Sequence, residues 1–217
     1  MTERVKIPAS GQDAVLVVPS GTARGPCVVV IQEWWGVNAQ IQAVARCWGD
    51  AGFVAIVPDL YHGKLATNAD QAGALMKALD FGNAVREIAA AVEFLKTHPR
   101  GNGKVAVTGY CLGGALSFAT AVEVRGLAAV VPFYGLPGAL DWTKVDAPIQ
   151  AHFARHDDWA TVAGAEAIEA AVTTPMDLHT YDAQHAFCNE ARPEVYDAAA
   201  CKLAWDRTLA FVRAHTE

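Results

Sequence analysis

The chain has 217 residues, is 53% hydrophobic and carries a net charge of −6 from 17 Lys+Arg against 23 Asp+Glu. That length can bury one large core, and the reading is a single domain over residues 1–217. With no basic cluster, neither nucleic acid nor an anionic membrane is an expected partner, and no apolar run reaches bilayer-spanning length. The opening stretch Met1 to Pro8 lacks the apolar core of a signal peptide. The five cysteines (Cys27, Cys47, Cys111, Cys188 and Cys201) are scattered and odd in number, with no Cys-x-x-Cys pair. Such usage fits reduced thiols, so the expected location is cytoplasmic.

Arg4 to Ile7 and Asp13 to Pro19 are short β-type runs split by Ser10-Gly11-Gln12, an expected opening hairpin. Cys27 to Ile31 is continuously apolar, as a central parallel strand covered on both faces must be. The loop Gln32 to Val37 follows, and Asn38 is placed to cap a helix over Ala39 to Ala51. Phe53 to Val57 is a further buried strand, stopped by Pro58-Asp59. Asp70 to Leu79 and Asn83 to Lys96 have helical periodicity. Lys104 to Thr108 reads as a buried strand behind a Gly-Asn-Gly turn signal at Gly101 to Gly103, and Leu112 to Val122 as a helix. Leu127 to Tyr134, Pro148 to Ala154 and Met176 to Tyr181 are strands; Ala163 to Val172 and Glu194 to His215 are helices. A hairpin followed by alternating strands and helices predicts a doubly wound, mostly parallel α/β sheet. Ligands in such sheets sit beyond the carboxyl ends of the strands.

One such end carries Gly109-Tyr110-Cys111-Leu112-Gly113, a Gly-x-nucleophile-x-Gly elbow with cysteine in the middle. A strand turning sharply into a helix leaves no room for a Cβ on either side and strains the central residue. Cys111 would then stand at a helix N-terminus, where the dipole and free N–H groups favour a thiolate and an oxyanion alike. An attacking cysteine needs a base and a group to orient it. After the last strand comes Asp182-Ala183-Gln184-His185-Ala186-Phe187, and after the preceding one Arg155-His156-Asp157-Asp158-Trp159. The order nucleophile, acid, histidine is that of the α/β-hydrolases. Local chemistry leaves Asp157 and Asp158 as alternatives for the acid.

The segments Gln32-Glu33-Trp34-Trp35-Gly36-Val37-Asn38, Pro58-Asp59-Leu60-Tyr61, Gly103-Lys104-Val105, Gly109 to Gly114, Tyr134-Gly135, Asp157 and His185-Ala186-Phe187 together resemble the dienelactone hydrolase (carboxymethylenebutenolidase) family of α/β-hydrolases. The resemblance spans nearly the whole chain. It implies an α/β-hydrolase fold without cofactor or metal, acting on a small-molecule lactone or activated ester. The implied triad is Cys111, Asp157 and His185, with Glu33 as a further catalytic carboxylate. The implied oxyanion donors are the backbone N–H groups of Trp34 and Leu112. Beside the apolar Trp34 and Trp35, a buried Glu33 would have a raised pKa and could accept the thiol proton. Trp35, Tyr134 and Phe187 are expected, with Trp34, to wall an aromatic pocket.

Family members that act on dienelactone hold its carboxylate with arginines, whereas this chain has Ala69 and Asn189 at those places. Arg192 is near in sequence. The substrate alternatives are therefore a dienelactone-like lactone and a general ester or thioester; a non-catalytic binding protein on this scaffold is the reading from another class. His152, His156, Asp157 and Asp158 are not expected to hold a metal, because strand alternation buries His152 away from the loop residues. A monomer is the favoured state.

Overall fold

In the computed structural model, which describes residues 1–217, the chain forms eight strands and six α-helices. The strands are β1 (Thr2–Lys6), β2 (Asp13–Val17), β3 (Gly25–Ile31), β4 (Val54–Pro58), β5 (Gly101–Tyr110), β6 (Ala129–Phe133), β7 (Ile149–His156) and β8 (Met176–Gln184). The helices are α1 (Ala39–Asp50), α2 (Ala69–Ala78), α3 (Phe81–Lys96), α4 (Leu112–Glu123), α5 (Val162–Ala171) and α6 (Ala198–Thr216). All strands join one sheet in the order β1-β2-β4-β3-β5-β6-β7-β8. The β1–β2 and β2–β4 pairs are antiparallel and the rest are parallel. No helix is long and apolar enough to cross a membrane.

The period-two geometry of a strand explains the two cores. Along β3, Cys27, Val29 and Ile31 point to one face, where they meet α3 and α4. Val28 and Val30 point to the other, against Ile41, Ala45 and Trp48 of α1 and Ala204 and Val212 of α6. A strand that must satisfy both faces has no polar position to spare, hence the unbroken apolar run. Asn38 caps α1 by accepting the Ile41 N–H at 3.1 Å, as its position before the periodic segment predicts.

Three boundaries differ from the sequence reading by three residues or more, one of them the end of β8, which runs on past Tyr181 to Gln184. Gly101 to Gly103 is not a turn before β5 but its first residues, where Gly25 pairs with Gly101 across a register shift. Glu194 does not start the last helix, because the 190s form turns closed by Val195 and Tyr196 N–H groups on the Arg192 carbonyl. The helix begins at Ala198, where the Asp197 side chain accepts the Ala200 N–H at 2.9 Å.

The parallel strands deliver Glu33, Cys111, Tyr134, Asp157 and His185 to one edge of the sheet, just beyond the carboxyl ends of β3, β5, β6, β7 and β8. Glycines make this approach possible. A Cβ on Gly135 would collide with the Cys111 carbonyl and come within 2.6 Å of the Ala115 nitrogen. Both are fixed backbone atoms, so Gly135→Ala is expected to cost about 3 kcal/mol, read as a melting temperature lower by roughly 10 °C. An unchanged melt would mean that the β6 loop can move away from the elbow.

Candidate active site

The chain turns from β5 into α4 within one residue, Cys111, at φ +55° and ψ −113°. A side-chain-bearing residue is strained there and persists only where its surroundings fix it. The Cys111 N–H donates to the Phe133 carbonyl at 3.0 Å, and its own carbonyl accepts from Gly114 and Ala115 at 2.9 and 3.2 Å. Tyr134 (φ +33°) and Ala186 (φ +65°) are also left-handed non-glycine residues. Each adjoins the site, one beyond β6 and one directly after His185. Backbone strain concentrated in this way is characteristic of functional sites.

His185 Nδ1 lies 2.6 Å from Asp157 Oδ2. The other oxygen, Oδ1, accepts the backbone N–H groups of Trp159 and Ala160 at 2.9 Å each. Burial pushes the Asp157 carboxyl up, but the His185 bond and those backbone donors outweigh it and hold the group below its ordinary value. Of the two aspartates, Asp157, the one the resemblance implies, is on the imidazole and Asp158 is exposed. A carboxylate on Nδ1 fixes the tautomer with its proton there and leaves the lone pair on Nε2. That Nε2 is buried without a protein partner.

Glu33 is 3% exposed. Its Oε1 accepts the Tyr134 hydroxyl at 3.3 Å and its Oε2 the Asn189 amide at 2.7 Å. Burial raises its pKa, and the donors Asn189 and Tyr134 with the His185 ring only partly offset this. Burial likewise pushes the Cys111 thiol up to about 12, with the Glu33 charge adding to it; the Leu112 N–H directed at the sulfur pulls the other way. The sequence reading, that a helix N-terminus would favour the thiolate, is therefore corrected. Desolvation is the larger effect, and the resting sulfur is protonated.

Glu33, Trp34, Cys111, Asp157 and His185 border one cleft of about 370 Å³. Of the expected aromatic wall only Trp34 lines the cleft. Tyr134 and Phe187 are fully buried, and Trp35 packs edge-on behind Trp34 at 5.2 Å. None of the three lines the cleft. Instead Trp159, 69% exposed, meets Trp34 edge-to-face at 6.0 Å and lies 5.8 Å from the His185 ring. Nothing in the sequence separates an exposed loop tryptophan from a core one. Ala69 does reach the cleft, Asn189 is buried behind it on Glu33, and Arg192 lies on its wall with Nε 2.9 Å from Glu194. His152 is held in the sheet by the Tyr181 and Thr208 hydroxyls at 2.7 and 3.0 Å, apart from the surface pair of His156 with Asp182.

The chain matches relatives over nearly their whole lengths. The chain is 39% identical over 212 residues to "Protein usf" of Aquifex pyrophilus, covering 87% of this chain and 88% of that protein. It is 31% identical to the carboxymethylenebutenolidase of Pseudomonas putida, covering 91% and 89%. Among solved structures, a dienelactone hydrolase-like promiscuous phosphotriesterase from metagenomic libraries superposes with a TM-score of 0.87 at 20% identity, covering 100% and 99%. The dienelactone hydrolase of Anabaena variabilis gives 0.75, also at 20%, covering 100% and 98%. The family model that matches residues 12–216 is that of the dienelactone hydrolases, and the chain belongs to the dienelactone hydrolase family.

Proposed function

We propose that the protein is a carboxylic ester hydrolase that opens a lactone or activated ester through a thioester on Cys111. The observation that carries this reading is the meeting, in one cleft, of a strained elbow cysteine, an imidazole oriented by a buried carboxylate, and a second carboxylate held at high pKa. In the resting state Glu33 is bonded to Asn189 and Tyr134. Substrate entry frees it to take the thiol proton as sulfur attacks the carbonyl carbon. The carbonyl electron pair moves onto oxygen, which the N–H groups of Leu112 and Trp34 receive, each such donor being worth about 3–4 kcal/mol. Collapse breaks the carbon–oxygen bond, the departing oxygen takes the proton from Glu33, and the alcohol or enol leaves behind the thioester. His185, with Asp157 on its Nδ1, then takes a proton from water as the water attacks, and collapse breaks the carbon–sulfur bond, releasing the acid and returning that proton to the Cys111 sulfur. Thiolate is itself a good leaving group, so forward collapse needs an oxygen that departs easily. Enol lactones and activated esters meet that condition, and amides do not.

The His185→Ala variant separates the two half-reactions. Mixed with an activated ester, it is expected to release one equivalent of alcohol and retain the acyl group on Cys111, seen as added mass on that peptide. A variant that neither bursts nor acylates would rule out His185 acting only in the second half. For the substrate, Arg192 is the guanidinium on the cleft wall, with its terminal nitrogens beyond the Glu194 contact. Arg192→Gln is expected to raise KM for cis-dienelactone roughly tenfold, on the scale of one lost charge-assisted hydrogen bond, while leaving p-nitrophenyl acetate unaffected. The general-ester reading, favoured by Ala69 in the wall and Asn189 engaged on Glu33, predicts equal effects on both and slow turnover of the lactone.

A further inference from the structure

A second cavity, of about 520 Å³, lies on the α1–α6 face of the sheet behind the elbow, and the hydrolytic reading leaves it unused. Tyr110 and Phe133, the residues just before Cys111 and Tyr134, border it together with Trp205. Its lining is mostly apolar but includes three sulfurs, those of Cys47, Cys188 and Cys201. Cys188 is 8% exposed and stands between His185 and Asn189, on the turn that carries both the imidazole and the partner of Glu33. Cys201 is in the first turn of α6 and partly exposed. A backbone clasp draws the two together: the Asp197 N–H donates to the Phe187 carbonyl at 3.0 Å, and the Cys201 N–H to the Asp197 carbonyl at 2.8 Å. Both thiols border this one cavity, and burial raises the Cys188 thiol, with the neighbouring Cys201 thiol adding to it. Cys47, on α1, borders the same cavity from the other helix.

We infer that Cys188 and Cys201 form a dithiol modification site, which closes to a disulfide by exchange with a small apolar disulfide entering this cavity. Cys201, the more exposed of the pair, attacks as thiolate: its bond to one reagent sulfur forms, the reagent S–S bond breaks, and one thiol leaves. Cys188 then attacks the Cys201 sulfur, forming the protein disulfide and expelling the second thiol. Two protein sulfurs lose two electrons, the reagent gains them, and the two protons end on the released thiols. Formation of the bond does not depend on the hydrolytic reading; its effect on turnover does. The bond pulls on the residue next to Asn189, so closure is expected to disturb Glu33 and suppress ester hydrolysis until the bond is reduced.

The test is dithiodipyridine added to the native full-length protein, with release of thiopyridone followed by absorbance and thiols mapped by peptide mass. The expected result is release of two thiopyridones for this pair, with the Cys188 and Cys201 peptides joined, two hydrogens lighter and free of pyridyl label. Cys188→Ala should keep a pyridyl adduct on Cys201, and Cys201→Ala should leave Cys188 unreacted on the same timescale. A stable adduct on wild-type Cys201, a Cys47–Cys201 link, or no reaction at either thiol would each overturn the proposal. Mapping of the wild type decides the matter even where a variant fails to fold, and it holds or fails whatever the protein hydrolyses.

Discussion

Replacing Cys111 with alanine is expected to lower kcat/KM for an activated ester by roughly 10⁴-fold or more, the scale seen when a covalent nucleophile is removed. Four decades correspond to about 5.5 kcal/mol of transition-state stabilisation. The oxyanion donors and the His185–Asp157 pair remain in the variant, so a water-attack background of small size is expected to survive. Serine at the same place should not rescue. The site already holds a thiol at a pKa of about 12 by burial, and an aliphatic hydroxyl is weaker still as an acid. A buried carboxylate that can accept a thiol proton during attack cannot do the same for serine. Thermal melts of both variants should match the wild type, because the sulfur makes no hydrogen bond that holds the elbow. That turn is held by the backbone bonds to Phe133, Gly114 and Ala115. An alanine variant within tenfold of the wild type would remove Cys111 from the mechanism and leave His185 activating water directly.

The parts of the fold legible in the sequence were those where one physical requirement dominates. β3 and β4 are buried on both faces, so their runs are apolar without a break, and Asn38 and the elbow glycines stand where a cap and a close approach demand them. Boundaries failed where two signals competed. Gly101 to Gly103 carries turn composition, yet pairing with Gly25 extends the strand through it. The start of α6 follows from the Asp197 cap and a tie to Phe187, a contact ten residues back that no local pattern contains. The same division runs through the site. Cys111, Asp157 and His185 follow strand ends, so chain order places them at one edge of the sheet. The cleft wall depends on which aromatics the loops turn outward, and there Tyr134 and Phe187 went inward while Trp159 stayed exposed. A resting thiol was already implied by reading Glu33 as its proton acceptor, whereas the desolvation that outweighs the helix terminus comes from the whole fold.

Glu33→Gln tests the proton path, and its signature lies in the pH profile as much as in the rate. Glutamine keeps both contacts, its carbonyl accepting from Asn189 and its amide donating to the Tyr134 oxygen, so geometry is preserved while the base is lost. A drop in turnover of roughly 10²–10⁴-fold at neutral pH is expected, the usual worth of a positioned base. In the wild type, turnover should rise as Glu33 ionises and then level off, since the ionised carboxylate is the acceptor. In the variant, attack requires pre-formed thiolate, so the rate should climb about tenfold per pH unit through neutrality and beyond. Loss of the Glu33 charge removes one of the effects that raise the thiol, but burial remains the larger, and the climb should continue well into the alkaline range. Stability should move the opposite way. The fold raises the Glu33 pKa above its ordinary 4.5, so the stability this group contributes is present below that value and lost as pH rises through the folded pKa. The variant should therefore melt higher than the wild type at neutral pH, with the difference vanishing below 4.5. A variant with wild-type rate and a flat profile would assign the thiol proton to His185 instead. A variant that loses both rate and stability would show that the charge of Glu33 holds the loop together rather than receiving a proton.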